Sequence, residues 1–165
     1  IEGIAALAAD RPVDVRFIEL MPIGCGKNYT GISSEEILRR LEQLFGKAIA
    51  FSEKVNMATG PAEYYQFPGF SGRIGFISPI SHKFCRECNR VRLTCEGRLK
   101  LCLHYDRGLE LKPLLRSGAS DEEIGRQIIN ALKEKPSEHH FRERAAGGGL
   151  TDGAEEQRKM VQIGG

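Results

Sequence analysis

The stretch NRVRLTCEGRLKLCL, from Asn89 to Leu103, constrains the fold more than any other part of the chain. Val91 and Leu93 alternate with Arg90, Arg92 and Thr94, while Leu99, Leu101 and Leu103 alternate with Arg98, Lys100 and Cys102. A period of two on both sides of a Glu-Gly pair is the pattern of a β-hairpin with one wet face, because successive strand side chains point to opposite faces. Two registers compete. A two-residue turn at Glu96 and Gly97 sets Val91 opposite Cys102 and mixes apolar with basic residues on both faces. A three-residue loop of Cys95, Glu96 and Gly97, with the glycine left-handed, keeps the apolar residues on one face and sets Arg90 opposite Cys102. The second register is expected.

The hairpin also gathers sulfur. Cys85 and Cys88 form a C-x2-C pair just before it and Cys102 lies on its return strand, so this register brings three thiols together. Three thiolates make a soft site suited to zinc or to an iron–sulfur cluster, and the residues alone leave both open. Zinc asks for a fourth ligand, for which His104 stands at the next outward-facing position. A four-iron cluster on three cysteines instead leaves one iron open to a small ligand. Cys95, at the turn, and Cys25, in a distant glycine-rich loop, read as small residues tolerated in loops. Five cysteines without a secretion signal argue against a disulfide framework.

Arg86, Arg90, Arg92, Arg98 and Lys100 concentrate positive charge on the expected wet face. Arginines at alternate strand positions present planar donor forks to phosphate oxygens, so an anion is expected there. The plainer reading is a solvated strand face, with Arg90 and Arg92 paired to acids such as Glu87.

Elsewhere the texture changes along the chain. Residues 1–9 read as the end of a helix, Pro12 breaks it, and VDVRFIELM, residues 13–21, reads as a strand. Ser33 and Glu36 form a capping box opening the helix SSEEILRRLEQLF, whose Ile37, Leu38, Leu41 and Leu44 make one apolar stripe before Gly46 closes it. The segments IAFSEKV, AEYYQFPG and GRIGFISPIS, separated by Gly and Pro, then suggest an antiparallel sheet, with a domain boundary near Gly46. Helices follow around LELKPLLRS and from a Ser120/Glu123 capping box through Ile124, Ile128, Ile129 and Leu132. From Pro136 onward the chain is polar and glycine-rich, which reads as a mobile tail unless it docks.

Bulk properties narrow the function class. The 165 residues are 41% hydrophobic, enough for a real core. A net charge of +2 is too small for nonspecific nucleic-acid binding, which neutralises many phosphates at once. No apolar stretch approaches the roughly 18 residues of a membrane span, and IEGIAALAADRP lacks a signal peptide's charged start and cleavage site. A cytoplasmic protein is expected, without membrane or nucleic-acid partners. The start at Ile1, running from helix straight into strand, reads as a fragment of an alternating α/β series.

The stretch from Gly60 to Leu103, with spacing C-x2-C-x13-C and N-R-x-R directly after the second cysteine, resembles the C-terminal half of the GTP 3′,8-cyclases. These are radical S-adenosylmethionine lyases, also called molybdenum cofactor biosynthesis protein A. The resemblance extends to RFIELMP near the start and to the terminal QIGG. It implies a [4Fe-4S] cluster on Cys85, Cys88 and Cys102 whose open iron takes GTP. It further implies nucleotide contacts from Arg90 and Arg92, an S-adenosylmethionine contact from Met21, and a catalytic diglycine, Gly164 and Gly165, reaching into the active site. Flexible glycines can enter a crowded pocket where a side chain would not fit.

The implied reaction converts GTP to (8S)-3′,8-cyclo-7,8-dihydroguanosine 5′-triphosphate in molybdenum cofactor biosynthesis. A deoxyadenosyl radical takes a ribose hydrogen, and the sugar carbon then attacks the purine. The family's N-terminal C-x3-C-x2-C motif, which holds a second cluster, is absent from these residues, so the chain alone is not expected to be active. Cys95 departs from the pattern at a position expected to be noncysteine.

The expected fold is α/β: residues 1–46 as the end of an incomplete TIM-type barrel, 47–135 as an antiparallel α+β domain carrying the cluster and GTP site, and 136–165 as a flexible tail. A homodimer is expected for the full enzyme. The alternative is a zinc-stabilised module whose basic strand face binds RNA or an acidic partner.

Overall fold

The computed structural model describes residues 1–51, 61–141 and 156–163. The chain forms two compact units, Ile1–Met21 with Thr30–Phe84, and Pro22–Tyr29 with Cys85–Gly165.

In the first unit, the expected opening helix is present as two short pieces, α1 (Glu2–Ala5) and α2 (Leu7–Asp10), which bury Ala5 and Ala8. The strand that follows is shorter than the apolar run suggests, β1 spanning Asp14–Ile18. Helix α3 (Ser34–Phe45) begins as its capping box requires, with the Ser33 hydroxyl accepting from the Glu36 amide at 3.2 Å, and it ends at Gly46 with φ 89°. Its stripe is only partly used. Ile37 and Leu41 are buried and Leu38 packs beside the core, but Leu44 is exposed.

Strands β2 (Ile49–Ala50), β3 (Glu63–Gln66) and β4 (Arg73–Ile77) join β1 in one sheet of order β1-β4-β3-β2. β1 and β4 are parallel, Asp14 to Ile18 lying against Arg73 to Ile77, while the other two pairings are antiparallel. The chain on either side of Gly46 therefore shares one sheet, which is mixed rather than purely antiparallel. A bidentate ion pair from Arg73 to Asp14, at 2.9 and 2.8 Å, marks the start of the parallel register. The core joins Ala5, Ala8, Val15, Ile37, Leu41, Phe67, Ile74 and Phe76. Each fully buried large aliphatic side chain here contributes about 1.5–3 kcal/mol.

The second unit is built on an antiparallel sheet of β5 (Arg92–Leu93), β6 (Arg98–Lys100) and β7 (Gly108–Glu110), in that order. The hairpin has the three-residue loop. Arg92 pairs with Lys100 and Leu93 with Leu99, the Thr94 amide donates to the Arg98 carbonyl at 2.9 Å, and Gly97 adopts φ 84°. The face assignment needs correction, however. Lys100 is buried rather than wet, and Val91, just before the edge strand, and Leu93, on it, are exposed while Leu99 and Leu101 fill the interior. Alternation sorts residues into two faces; which face is covered depends on what packs against it.

Helices α4 (Leu111–Arg116) and α5 (Asp121–Lys133) follow, the latter opened by the Ser120 hydroxyl accepting from Glu123 at 3.2 Å. The Gly97 carbonyl receives the amides of Leu111 and Lys112 at 2.9 and 3.0 Å, tying the hairpin loop to the start of α4. Residues 156–163, in the stretch read as a tail, pack into this unit: Glu156 and Ile163 are buried, and the Glu156 amide donates to the His104 carbonyl at 2.9 Å. The two sheets are open, and no barrel is closed among the described residues. No helix among them is long and apolar enough to cross a membrane.

Candidate functional site

The C-x2-C pair closes on itself locally. Cys85–Glu87 forms a single 3-10 turn and the Cys88 amide donates to the Cys85 carbonyl at 3.1 Å, which sets the two cysteines at the ends of one turn. Cys102 follows β6 in the same unit, past Leu101, whose amide donates to the Arg107 carbonyl at 3.2 Å. Cys85, Cys88 and Cys102 are half-buried and Cys25 and Cys95 are exposed; none forms a disulfide. The Cys95 thiol donates to the Glu96 carboxylate at 3.2 Å, and that hydrogen bond together with the negative charge holds its pKa above the ordinary thiol value. A thiol kept protonated at the hairpin tip is a poor metal ligand.

Lys135, just beyond α5, reaches the C-x2-C turn. Its Nζ lies 2.5 Å from the Cys88 carbonyl oxygen, 2.8 Å from that of Arg90 and 3.6 Å from the Cys88 sulfur. Three thiols in one unit, two of them on one turn with a cation beside one sulfur, are donors of the softness that an iron–sulfur group takes.

The expected zinc set fits less well. His104 is buried rather than outward-facing, its ring 4.4 Å from that of Tyr105 and 4.3 Å from that of Phe141, centroid to centroid. Among the described residues, no three His, Cys, Asp or Glu side chains are grouped as they would be around a single ion, and this holds for Cys85, Cys88 and Cys102 as much as for a set that includes His104.

The basic face is smaller than the alternation suggests. Arg98 is held by Asp106 at 2.8 Å and Glu110 at 3.1 Å, and the buried Lys100 ammonium donates to Glu156 and to the Tyr105 carbonyl. Arg86 and Arg90 are exposed and Arg92 is half-buried on β5. No carboxylate among the described residues, Glu87 included, pairs with Arg90 or Arg92.

In the first unit, Met21 is half-buried just past the end of β1. Glu19, two residues earlier, is a buried acid that the apolar reading of residues 13–21 passed over. The Glu19 carboxylate is buried and accepts from the amides of Ser34 (3.1 Å), Ile80 (2.9 Å) and Ser81 (2.8 Å) and from the Ser81 hydroxyl. Burial pushes this carboxyl upward, but the hydrogen bonds outweigh it and hold the pKa below the ordinary glutamate value. Gly164 and Gly165 lie outside the described residues.

The family Molybdenum Cofactor Synthesis C matches residues 13–141 of the chain. The chain belongs to this family. Curated proteins similar to this member of the family carry the name GTP 3′,8-cyclase. One from Clostridium perfringens (strain 13 / Type A) is 42% identical over 159 residues, covering 96% of this chain and 46% of the relative. One from Desulforamulus reducens is 45% identical over 164 residues, covering 98% of this chain and 47% of its own. A third, from Ectopseudomonas mendocina, is 45% identical over 143 residues, with 84% and 42% coverage. The chain thus spans about half the length of the curated relatives it matches. These matches support a role in molybdenum cofactor synthesis.

Proposed function

We propose that this chain is the C-terminal, substrate-binding part of a GTP 3′,8-cyclase, and that Cys85, Cys88 and Cys102 hold a [4Fe-4S] cluster. The single observation that carries this reading is the set of three half-buried thiols in one unit, two of them on a single turn with the Lys135 ammonium beside Cys88. When bound, a cluster with three protein ligands supplies one iron position open to the guanine.

The chain's own residues then orient the nucleotide. Arg90 lies between the C-x2-C turn and β5, and Arg92 begins β5; both are without carboxylate partners among the described residues and offer planar donor forks to the triphosphate. Met21, just past the end of β1, contacts S-adenosylmethionine, and β1 with its helices is the end of a partial TIM-type barrel. Gly164 and Gly165, outside the described residues, are the catalytic diglycine in this reading. The reaction needs a second cluster and S-adenosylmethionine from the rest of a full-length, cytoplasmic, homodimeric enzyme, so binding rather than turnover is the property of this chain. Orienting the substrate is the protein's contribution where cofactors carry the radical chemistry.

Anaerobic reconstitution with ferrous iron and sulfide tests this. A brown protein whose visible spectrum shifts with GTP more than with ATP is expected, with chromophore lost in Cys85→Ser, Cys88→Ser and Cys102→Ser and kept in Cys95→Ser. A colourless protein with one tightly bound zinc overturns it.

A further inference from the structure

Lys135 stands out among the lysines because of what surrounds its charge. Its backbone is held at the end of α5, the Lys135 amide donating to the Leu132 carbonyl at 3.2 Å, and Pro136 restricts the chain directly after it. From that fixed base the half-buried side chain crosses to the C-x2-C turn, 47 residues away in sequence. An ammonium has three protons to donate. Here the acceptors are the Cys88 carbonyl, the Arg90 carbonyl and the Cys88 sulfur, and no carboxylate among the described residues shares the charge. Ordering a long lysine chain onto two carbonyls and a sulfur costs side-chain entropy, which charge-assisted hydrogen bonds offset.

We propose that Lys135 is a positioning and potential-tuning residue for the iron–sulfur site, acting through an N–H···S hydrogen bond to the Cys88 sulfur and through its hold on the Cys88 and Arg90 carbonyls. This rests on the assignment of Cys88 as a cluster ligand. Two consequences follow from the geometry. The carbonyl contacts fix the backbone on both sides of Asn89, so one side chain sets the position of a sulfur ligand and of a nucleotide-binding guanidinium together. The positive charge beside the sulfur stabilises electron density on the cluster and so raises its reduction potential, since hydrogen bonds to cluster sulfurs and local charge are the protein's principal means of setting it.

The test compares the reconstituted wild-type chain with Lys135→Met, Lys135→Arg and, as a control from the exposed end of α5, Lys133→Met. Two readouts are taken: the rate of iron release to a chelator, and the midpoint potential from an electron-paramagnetic-resonance titration. Lys135→Met is expected to release iron about ten- to a hundred-fold faster, the usual effect of losing an outer partner of a metal ligand, and to titrate at a more negative potential. Lys135→Arg, which keeps the charge, recovers most of the potential, and Lys133→Met matches wild type. Should Lys135→Met fail to fold, Lys135→Gln carries the same comparison, because it can still donate to a carbonyl but has no charge. A loaded wild-type chain matched in both readouts by the uncharged variant overturns the lysine assignment alone. A wild-type chain that takes up no iron and sulfide overturns the cluster assignment, and this one with it.

Discussion

Lys100 and Glu156 form an ion pair with both charged groups withdrawn from solvent, joining β6 to the segment 156–163. Arg158 extends it, bonding Glu156 at 2.9 Å and Asp106 at 3.1 Å, and Asp106 in turn holds Arg98. Removing one member of a buried pair leaves the other charge desolvated and unpaired. Glu156→Ala is therefore expected to destabilise the chain by about 3–5 kcal/mol, read as a lower midpoint in urea unfolding. The double variant Lys100→Met/Glu156→Leu should recover most of that loss. Equal stability of Glu156→Ala and wild type would show that segment 156–163 is not anchored through this pair.

The same carboxylate predicts an acid limb of stability. Hydrogen bonds from Arg158 and, against the opposing effect of burial, from Lys100 hold the Glu156 pKa down to about 2, from an ordinary value of 4.5. The charged groups around it are Lys100, Arg158 and Asp106. A depressed carboxylate contributes stability that is complete above the unfolded value and lost as pH falls toward the folded one. Unfolding free energy should therefore drop between about pH 5 and pH 2, with a shallower slope in Glu156→Gln. Parallel pH profiles for the two proteins would contradict this.

Gly97 is the residue that permits the hairpin register. Its φ of 84° is left-handed, and a Cβ there would lie 2.8 Å from the Lys112 Cβ. Gly97→Ala is expected to cost about 1–2 kcal/mol for the backbone conformation alone, measured by thermal unfolding. Because the loop sets the pairing that leads to Cys102, the variant should also load less iron.

Arg90 and Arg92 make a separable prediction. Replacing either with alanine should weaken GTP binding by about 1–3 kcal/mol, measured by titration calorimetry on the reconstituted chain, while iron content stays at the wild-type level. Unchanged affinity would remove the triphosphate role from these residues and leave the sulfur site untouched.

Much of the geometry around the candidate site was legible because it is local. The C-x2-C turn closes within four residues, and the alternation around Glu96 and Gly97 chooses one loop length over another through side-chain period alone. The capping serines 33 and 120 were equally readable, since each acts on an amide three positions ahead. Lys135 and Glu156 gave no such signal. One precedes a proline at the edge of a polar stretch and the other lies inside that stretch, where composition argues for a solvated chain.

What the chain determined by itself, then, is the short-range geometry: helix starts, the hairpin register, and the C-x2-C turn. Tertiary structure alone decided that Lys100 is buried, that His104 sits among aromatic rings, that β1 joins a mixed sheet and that an ammonium from beyond α5 lies on the Cys88 sulfur. The reason is desolvation. Whether a charged or polar side chain can leave water depends on partners that distant segments bring to it, and no periodicity in the residues around it records their arrival.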